Sequence, residues 1–188
     1  MRVVGGAWRG RTLKAPPGRA TRPTSDKVRE AVFDVLESLL RAGTAGWADQ
    51  AVLDLFAGSG ALGIEALSRG DGTADFVESD AAAAATIAAN LAATGFEERA
   101  TLLRLTAERA AARLSGRYTL VLADPPYYDE GAPGVVEELA GSQLVGADTV
   151  LVLEHHRRRP APEALGPLRM YRSRRHGDTV VSIYRGRE

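Results

Sequence analysis

Four consecutive residues, Asp124, Pro125, Pro126 and Tyr127, directly follow the apolar run 118–123 and are well suited to bind a polar ligand. Proline lacks the backbone N–H that extends a β-ladder, and its ring fixes φ, so the chain leaves the strand in a stiff turn. The turn presents a carboxylate and an aromatic ring at the carboxyl end of a strand, where open α/β sheets bind ligands. A lone Asp-Pro would indicate an ordinary surface turn. The whole tetrapeptide, together with a glycine-rich loop elsewhere, indicates a site.

That glycine-rich loop follows the predicted strand 51–56. Glycines permit a sharp turn and let a ligand approach the backbone, and the helix after the loop offers free N–H groups. Gly58, Gly60 and Gly63 match the G-x-G-x-x-G spacing of nucleotide-binding loops, which does not separate NAD from other nucleoside cofactors. Glu78, at the end of the next strand, suits the ribose hydroxyls of either cofactor. The alternative is that the glycines serve helix–strand packing only.

Two features favour S-adenosylmethionine over NAD. Asp54 lies four residues before Gly58, where its carboxylate could meet the cationic amino-acid group that S-adenosylmethionine has and NAD lacks. A chain of 188 residues also leaves little room for the substrate domain of a dehydrogenase. Both features indicate methyl transfer. The predicted cofactor-binding residues in these two segments are Asp54, Phe56, Ala57, Gly58, Ser59, Gly60, Glu78 and Ser79.

Composition excludes several classes of site and protein. The chain has no cysteine, so it forms neither a disulfide framework nor a thiolate metal site. Its three histidines are too few and too clustered for a convincing zinc site, and we expect no metal. No apolar run reaches membrane-spanning length, and the arginine-rich start lacks an apolar signal segment. We therefore expect a cytoplasmic protein without a membrane partner, and a monomer.

The net charge of zero hides a partition along the chain. Residues 1–29 contain eight basic and one acidic side chain, residues 30–156 contain seven and twenty, and residues 157–188 contain nine and three. Two cationic ends indicate a polyanion that the termini contact, although arginines also solvate exposed ends. The basic cluster 155–159 at the end of a predicted strand fits a phosphate contact and a solvated rim equally well.

Several elements must position these residues. The first residues predict a short β-hairpin with a glycine-rich turn, and a helix begins after Ser25, a good N-cap, with Arg29 and Glu30 opposite its apolar face. Alternating elements follow, with a closing antiparallel pair, which predicts a doubly wound α/β sheet. The predicted strands are 51–56, 74–77, 101–105, 118–123, 149–153, 169–174 and 179–185; the helices between them end near Ser68, Thr94, Leu114 and Ala140.

The chain resembles class I S-adenosylmethionine-dependent methyltransferases, and specifically the RsmD family of bacterial 16S rRNA guanine-N2 methyltransferases. The motifs that carry the resemblance are Arg2-Val3-Val4-Gly5-Gly6 with Gly10-Arg11, the segment 21–33 (TRPTSDKVREAVF), the loop 54–60 (DLFAGSG) and the tetrapeptide 124–127 (DPPY). The segment 21–33 is the specific one, because many amino-group methyltransferases share the loop and the tetrapeptide. Where such enzymes often have a polar contact to the cofactor adenine after strand three, this chain has Leu105-Thr106-Ala107-Glu108, so we expect a backbone contact at Ala107.

The resemblance implies a Rossmann-like seven-stranded sheet with a C-terminal hairpin over residues 25–188, preceded by an RNA-binding hairpin extension over residues 1–24. It implies S-adenosylmethionine as cofactor and 16S rRNA, within the small ribosomal subunit, as partner. Asp124 and the carbonyl of Pro125 would hold an exocyclic guanine amine, Tyr127 would stack on the extruded base, and all four residues of the tetrapeptide would form the catalytic site. The expected RNA contacts are Arg2, Trp8, Arg9, Arg11, Lys14, Arg19 and Arg22, with Lys27 and Arg29 as further candidates.

Three other functions fit the sequence less well. An adenine-N6 methyltransferase shares the chemistry, but this chain has no separate target-recognition domain for a specific DNA sequence. An NAD-dependent oxidoreductase would lack a substrate domain. A non-catalytic ribosome-assembly factor would not need the intact tetrapeptide.

Overall fold

The structure, a computed structural model, describes residues 1–17, 25–42, 46–47, 49–70, 72–127 and 129–186. Helices and strands alternate along most of the chain. The helices are α1 (Asp26–Ala42), α2 (Ala61–Arg69), α3 (Ala81–Thr94), α4 (Ala107–Ala111) and α5 (Ala132–Ala140). The strands are β1 (Ala51–Leu55), β2 (Thr73–Val77), β3 (Ala100–Leu103), β4 (Tyr118–Ala123), β5 (Val145–His156), β6 (Ala164–Leu165), β7 (Leu168–His176) and β8 (Thr179–Arg185).

The strands form one sheet in the order β3-β2-β1-β4-β5-β8-β7-β6. The first five strands in that order are parallel, and β8, β7 and β6 are antiparallel to their neighbours. The doubly wound architecture with a closing hairpin is confirmed. The sheet has eight strands rather than the predicted seven, because the two-residue strand β6 pairs with the start of β7. Two residues are too few to produce a periodic pattern in a sequence.

Side chains on alternate strand positions enter two apolar cores, one on each face of the sheet. On β1, Val52 packs towards α1, α2 and α3, whereas Leu53 and Leu55 pack towards α4 and α5. Helix α1 buries Phe33 and Leu36 in the first core. Both faces of the central strands are therefore covered, which explains why β1 and β4 are almost continuously apolar.

Several element boundaries differ from the sequence prediction, by one to four residues. Strand β1 ends at Leu55, and α4 ends at Ala111 rather than Leu114. Strand β5 begins at Val145, because Val145 pairs with Tyr118 ahead of a register shift in β4–β5 pairing. The buried hydroxyl of Thr149 bridges this irregularity by accepting the N–H of Gly146 at 2.9 Å and donating to the Tyr118 carbonyl at 2.7 Å.

The N-terminal segment forms the predicted hairpin, but with a single β-bridge, between Arg2 and Thr12. Its apolar residues Val3 and Leu13 are buried in the core that also contains α1 and α2. Helix α2 holds the hairpin backbone: Val4 N–H donates to Glu65 at 2.8 Å, and Trp8 N–H donates to the Ser68 hydroxyl at 3.0 Å. The predicted division of the chain near residue 24 falls among residues 18–24, outside the described residues.

Arg29 is buried, with a relative exposure of 1%, so the expectation that it lies on a solvent face and contacts RNA is wrong. Its guanidinium donates to Asp26 at 2.8 Å and to the carbonyl of Arg2. Its Nε lies 3.8 Å from Glu65, a buried carboxylate that also pairs with Arg69 at 3.0 Å. This ion network joins α1, α2 and the hairpin. A helical pattern predicts which face of the helix an arginine occupies, but it does not show that a buried carboxylate from another helix lies beside that face.

None of the helices in the described ranges is long and apolar enough to cross a membrane.

Candidate active site

The two sequence motifs meet at the point where the strand order of the sheet reverses. Strand β1 pairs with β2 on one side and β4 on the other, and Leu55 lies opposite Ala123. The residues that follow, Phe56 and Asp124, therefore leave the same edge of the sheet on adjacent strands, about 4.8 Å apart. In doubly wound sheets this crevice is where ligands bind. The structure thus places the glycine-rich loop and the tetrapeptide side by side.

The end of β2 holds the glycine-rich loop in place. Ala57 N–H donates to the Val77 carbonyl at 2.9 Å, and Gly58 N–H donates to the Glu78 carboxylate at 2.9 Å. The other oxygen of the buried Glu78 carboxylate accepts the N–H of Asp80 at 2.8 Å. These hydrogen bonds hold the Glu78 carboxylate beside the loop, where a carboxylate can accept hydrogen bonds from ligand hydroxyls.

Phe56 has a φ of 65°, the one positive φ outside glycine among the residues that the structure describes. The left-handed region costs about 1–2 kcal/mol for a residue with a Cβ. Such strain persists where the surrounding structure enforces it, and it concentrates at functional sites. Here it turns the chain from β1 into the loop.

The three glycines of the fingerprint have different roles. A Cβ on Gly63 would lie 2.7 Å from Cζ of Phe76, and one on Gly60 would lie 3.3 Å from Ile87. These two glycines therefore serve the helix–strand packing that the sequence left open as an alternative. A Cβ on Gly58 would meet only the Phe56 carbonyl, at 3.9 Å. The space beside Gly58 is open, which fits a ligand that approaches the backbone there.

Asp54 is 1% exposed and lies under the loop, where it accepts the N–H of Gly63 at 2.8 Å. Burial raises the pKa of Asp54 from its ordinary value of 3.8 to about 8, the Gly63 hydrogen bond lowers it, and the Glu78 charge raises it further. The carboxyl is therefore largely neutral at pH 7. A cation bound nearby would favour its ionised form, so the residue fits a ligand with an ammonium group.

The remaining predicted cofactor residues lie around the same edge. Ser79 is exposed directly after β2, and Ala107 is the buried first residue of α4, which follows β3. Ser59 points elsewhere: its hydroxyl donates to the Met1 sulfur at 3.2 Å, and its carbonyl accepts from Asn90 at 2.9 Å.

Tyr127 is held against the antiparallel part of the sheet. Its hydroxyl donates to the Glu154 carboxylate at 3.1 Å and shares a hydrogen bond with Thr179. Its ring meets His156 edge-on, with ring centroids 5.5 Å apart. Burial raises the pKa of Tyr127 above its usual range, so the hydroxyl stays protonated. Pro125 is buried, Pro126 is exposed, and Asp124 is half-buried beside the loop.

The sequence analysis missed Glu154 and Thr179. Glu154 is buried at the end of the apolar run of β5, and a charged residue in such a run is a usable signal. Thr179 has no such signal, because only the pairing of β8 with β5 brings it to the site.

The basic cluster 155–159 is largely engaged in internal contacts. The His155 ring bonds to the Arg159 carbonyl at 2.8 Å and to Ser182 at 3.0 Å. Arg157 pairs with Asp178 at 2.7 Å. These contacts favour a structural role for the basic cluster over a role in binding phosphate groups.

The predicted RNA-binding residues of the hairpin lie at different distances from the site. Trp8 is 36% exposed, and its ring packs edge-on against Phe96, with centroids 6.3 Å apart and the Arg11 guanidinium 5.6 Å from the ring. Phe96 follows α3, so the hairpin tip lies at the sheet edge opposite Asp124. Arg2 is exposed and pairs with Asp26 at 3.4 Å. Arg9, Arg11 and Lys14 are also exposed, and Arg19 and Arg22 lie outside the described residues.

The sequence profile of a family described as "Conserved hypothetical protein 95" matches residues 1–185. The chain belongs to this family, the RsmD family of methyltransferases. It is 39% identical over 190 residues to "Putative rRNA methyltransferase YlbH" of Bacillus subtilis, covering 100% of both chains. It is 30% identical over 184 residues to "Ribosomal RNA small subunit methyltransferase D" of Escherichia coli, covering 98% of this chain and 89% of that one.

A solved structure agrees with the assignment to a methyltransferase family. "Putative methyltransferase yhhF" from Escherichia coli has a TM-score of 0.81 and 30% identity, and covers 100% of this chain and 99% of that one. The resemblance inferred from the motifs is confirmed. Membership in a methyltransferase family implies a cofactor of the S-adenosylmethionine type, which the neutral buried Asp54, the open space at Gly58 and the Glu78 carboxylate beside the loop fit.

Proposed function

We propose that this RsmD-family protein methylates the exocyclic N2 of a guanine in 16S rRNA, within the assembled small ribosomal subunit, using S-adenosylmethionine. The observation that carries the proposal is the pairing of β1 with β4, which puts the glycine-rich loop beside Asp124. The Escherichia coli relative, whose name specifies small-subunit rRNA, supports the choice of substrate.

The residues around the loop would hold the cofactor. Glu78 would accept hydrogen bonds from the ribose hydroxyls, and Asp54 would lose its proton as it compensates the ammonium group. The open backbone at Gly58 would give the ligand room, and Ser79 and the backbone of Ala107 would contact the cofactor, Ala107 at its adenine. When bound, S-adenosylmethionine supplies an electrophilic methyl group on a sulfonium.

Asp124 and the Pro125 carbonyl accept the hydrogens of the guanine amine. An exocyclic amine is a weak nucleophile because its lone pair is delocalised into the ring. Two fixed acceptors orient its nitrogen so that the lone pair develops towards the methyl group. Guanine also offers two adjacent donors, N1–H and N2–H, which suits a carboxylate. The proton released after transfer passes to solvent.

Tyr127 provides the surface on which the extruded base stacks. Its hydroxyl contacts with Glu154 and Thr179 fix the ring before the base arrives, which lowers the entropy cost of stacking. The N-terminal hairpin contacts rRNA backbone at a distance from the target, because its tip lies at the opposite edge of the sheet. We place the protein in the cytoplasm with its substrate, acting as a monomer without a metal.

The test is methyl transfer from labelled S-adenosylmethionine to undermethylated small subunits, with naked 16S rRNA and DNA alongside, followed by nucleoside analysis. We expect N2-methylguanosine from the subunits, and a loss of at least a hundredfold in kcat for Asp124→Ala. Glu130→Gln removes an exposed carboxylate from the same loop and is the matched control.

N6-methyladenosine as the product would overturn the base assignment and retain the fold and cofactor. Equal transfer to naked rRNA would overturn the assembled subunit as substrate. Bound cofactor without transfer to any nucleic acid would favour the assembly-factor function.

A further inference from the structure

Strands β7 and β8 place most of their arginines on one face of the sheet. In the β7–β8 register, Arg172 lies opposite Ile183 and Arg174 opposite Val181, and both of these apolar residues belong to the core beside α1. Directly opposed residues share a face of the sheet, so Arg172 and Arg174 are on the α1 side. Arg169 lies opposite Arg185, which is two positions beyond Ile183 and therefore on the same side.

An exposed aromatic ring lies within this basic face. Tyr171 is 43% exposed, and the Arg185 guanidinium lies 4.6 Å from its ring centroid, with the Arg172 guanidinium at 6.0 Å. Guanidinium–ring contacts hold flat cationic groups in place. A tyrosine between arginines is a surface on which an unpaired base can stack while phosphates pair with the charges.

Three of the arginines on this face have no carboxylate partner among the described residues. Among the residues that the structure describes, no acidic side chain forms an ion pair with Arg169, Arg172 or Arg174. Glu30 and Asp34 of the neighbouring helix α1 are exposed and are not paired with them. The buried Arg29 and the partly buried Arg69, in contrast, are both paired with Glu65. The charges of Arg172 and Arg174 are therefore available to an external anion.

The face starts at the edge of the sheet where Asp124 and Tyr127 lie, here called the catalytic edge. His176 lies opposite Thr179, which shares a hydrogen bond with Tyr127. From there β7, a strand of nine residues, extends about 25–30 Å to the opposite edge. A shallow groove between α1 and these strands runs beside it, lined in part by Val32, Val35, Arg172, Arg174, His176 and Ile183.

Charged side chains on an edge strand can also serve only to block aggregation between sheets. That role requires charged side chains on the edge strand, but it does not require them to lie on one face of the sheet. Here the side chains on the other face of β7 have internal contacts: Ser173 bonds to Ser182 at 3.1 Å, and Arg175 donates to the Gly177 carbonyl at 2.7 Å. On the α1 side, Arg169 also donates to a backbone carbonyl, that of Leu168, at 3.4 Å, but Arg172 and Arg174 have no carboxylate partner in the described part of the chain and lie on the same face as an aromatic ring, which points to a ligand.

We infer that the α1-side face of β7 and β8, formed by Arg169, Tyr171, Arg172, Arg174 and Arg185, binds the rRNA backbone next to the target nucleotide. This inference rests on the proposed rRNA substrate. The face would receive the strand that leads into the catalytic edge, and the N-terminal hairpin would contact a separate part of the RNA. Binding is through phosphates and base stacking, so it positions the RNA without reading its sequence.

The test compares the double variant Arg172→Gln/Arg174→Gln with wild type in binding to 16S rRNA and small subunits, with S-adenosylhomocysteine present and no turnover. Each lost phosphate contact lowers the slope of log Kd against log salt by about 0.7–0.9, so we expect a decrease of about 1.5. Affinity near 0.15 M salt should fall on the order of tenfold. In transfer assays KM should rise similarly, with kcat and cofactor affinity unchanged.

The matched control is Arg109→Gln/Arg113→Gln, which removes two exposed arginines around α4, on the other face of the sheet. It should leave the salt slope within 0.5 of wild type. Arg172→Lys/Arg174→Lys keeps the charges and should restore most of the affinity. If the glutamine pair does not fold, as judged by circular dichroism, each single glutamine variant should lower the slope by about 0.7–0.9.

A wild-type salt slope and KM in the folded glutamine variant would overturn the inference. So would an equal loss in the α4 control, because the effect would then reflect net charge. A loss with assembled subunits but none with naked rRNA would also overturn it, since the partner would then be a ribosomal protein. If wild-type protein binds rRNA through this face but methylates nothing, the proposed function fails while the surface stands.

Discussion

The buried carboxyl of Asp54 should make the stability of the protein fall as pH rises. The substitution Asp54→Asn keeps an oxygen that can accept the Gly63 N–H but cannot ionise. In wild type, the folded state holds a proton with a pKa of about 8, while the unfolded chain releases it near the ordinary value of 3.8. Between these values the unfolded state binds fewer protons, so raising the pH favours unfolding.

The size of the effect follows from the two pKa values. Each pKa unit corresponds to about 1.36 kcal/mol, so the full interval is worth about 6 kcal/mol. The contribution of protonated Asp54 to the free energy of unfolding is fully present below pH 3.8, and it is lost as the pH rises towards 8. The free energy of unfolding of Asp54→Asn relative to wild type should therefore increase by about 1 kcal/mol per pH unit between pH 5 and 7.5.

Urea denaturation of both proteins at several pH values measures this difference, in which the titration of all other groups cancels. Glu130→Gln, an exposed acid, should give a flat difference over the same range. A flat difference for Asp54→Asn would refute the reasoning, because it would mean that the carboxyl is already ionised in the folded protein.

The same carboxyl links cofactor binding to proton release. S-adenosylhomocysteine has the ammonium group without the reactive methyl, so its binding should expel the Asp54 proton near pH 7. Titration calorimetry in buffers of different ionisation enthalpy should detect release of up to one proton in wild type and none in Asp54→Asn. Equal release by both proteins would place the ammonium away from Asp54.

Three further predictions concern single positions. Gly58→Ala should lower stability by about 1–2 kcal/mol because the φ of Gly58 is 58°, and it should weaken cofactor affinity at least tenfold. Gly63→Ala should lower stability more, because its Cβ would overlap Phe76. Thermal melts measure the stabilities and calorimetry measures the cofactor affinity; a larger loss of stability in Gly58→Ala than in Gly63→Ala would contradict these roles. Tyr127→Phe should retain most of kcat because the ring remains, while Tyr127→Ala should lose at least a hundredfold; equal losses in single-turnover assays would mean that the hydroxyl, not stacking, matters. Arg29→Met should destabilise the protein by about 3–5 kcal/mol because it leaves the buried Glu65 carboxylate with one cation fewer; wild-type stability in urea, with weakened RNA binding, would restore Arg29 to the RNA surface.

The sequence alone determined the fold class and the two motifs of the site. Alternating strand and helix patterns predict a doubly wound sheet, and in such a sheet the loop 54–60 and the tetrapeptide 124–127 both follow strands. Glycine and proline act through local backbone geometry, so their effects can be read without knowing the neighbours. The resemblance of the same motifs to one family was confirmed by comparison with its members.

Tertiary structure decided what each polar side chain does. The sequence pattern predicts that Arg29 faces solvent, but in the structure Arg29 is buried beside the Glu65 carboxylate of another helix. Gly58 and Gly63 belong to the same fingerprint, yet only the position of Phe76 shows that one is needed for packing. Thr179 reaches Tyr127 through the antiparallel pairing of β8 with β5. Burial and ion pairing depend on residues distant in the chain, and a local pattern contains no information about them.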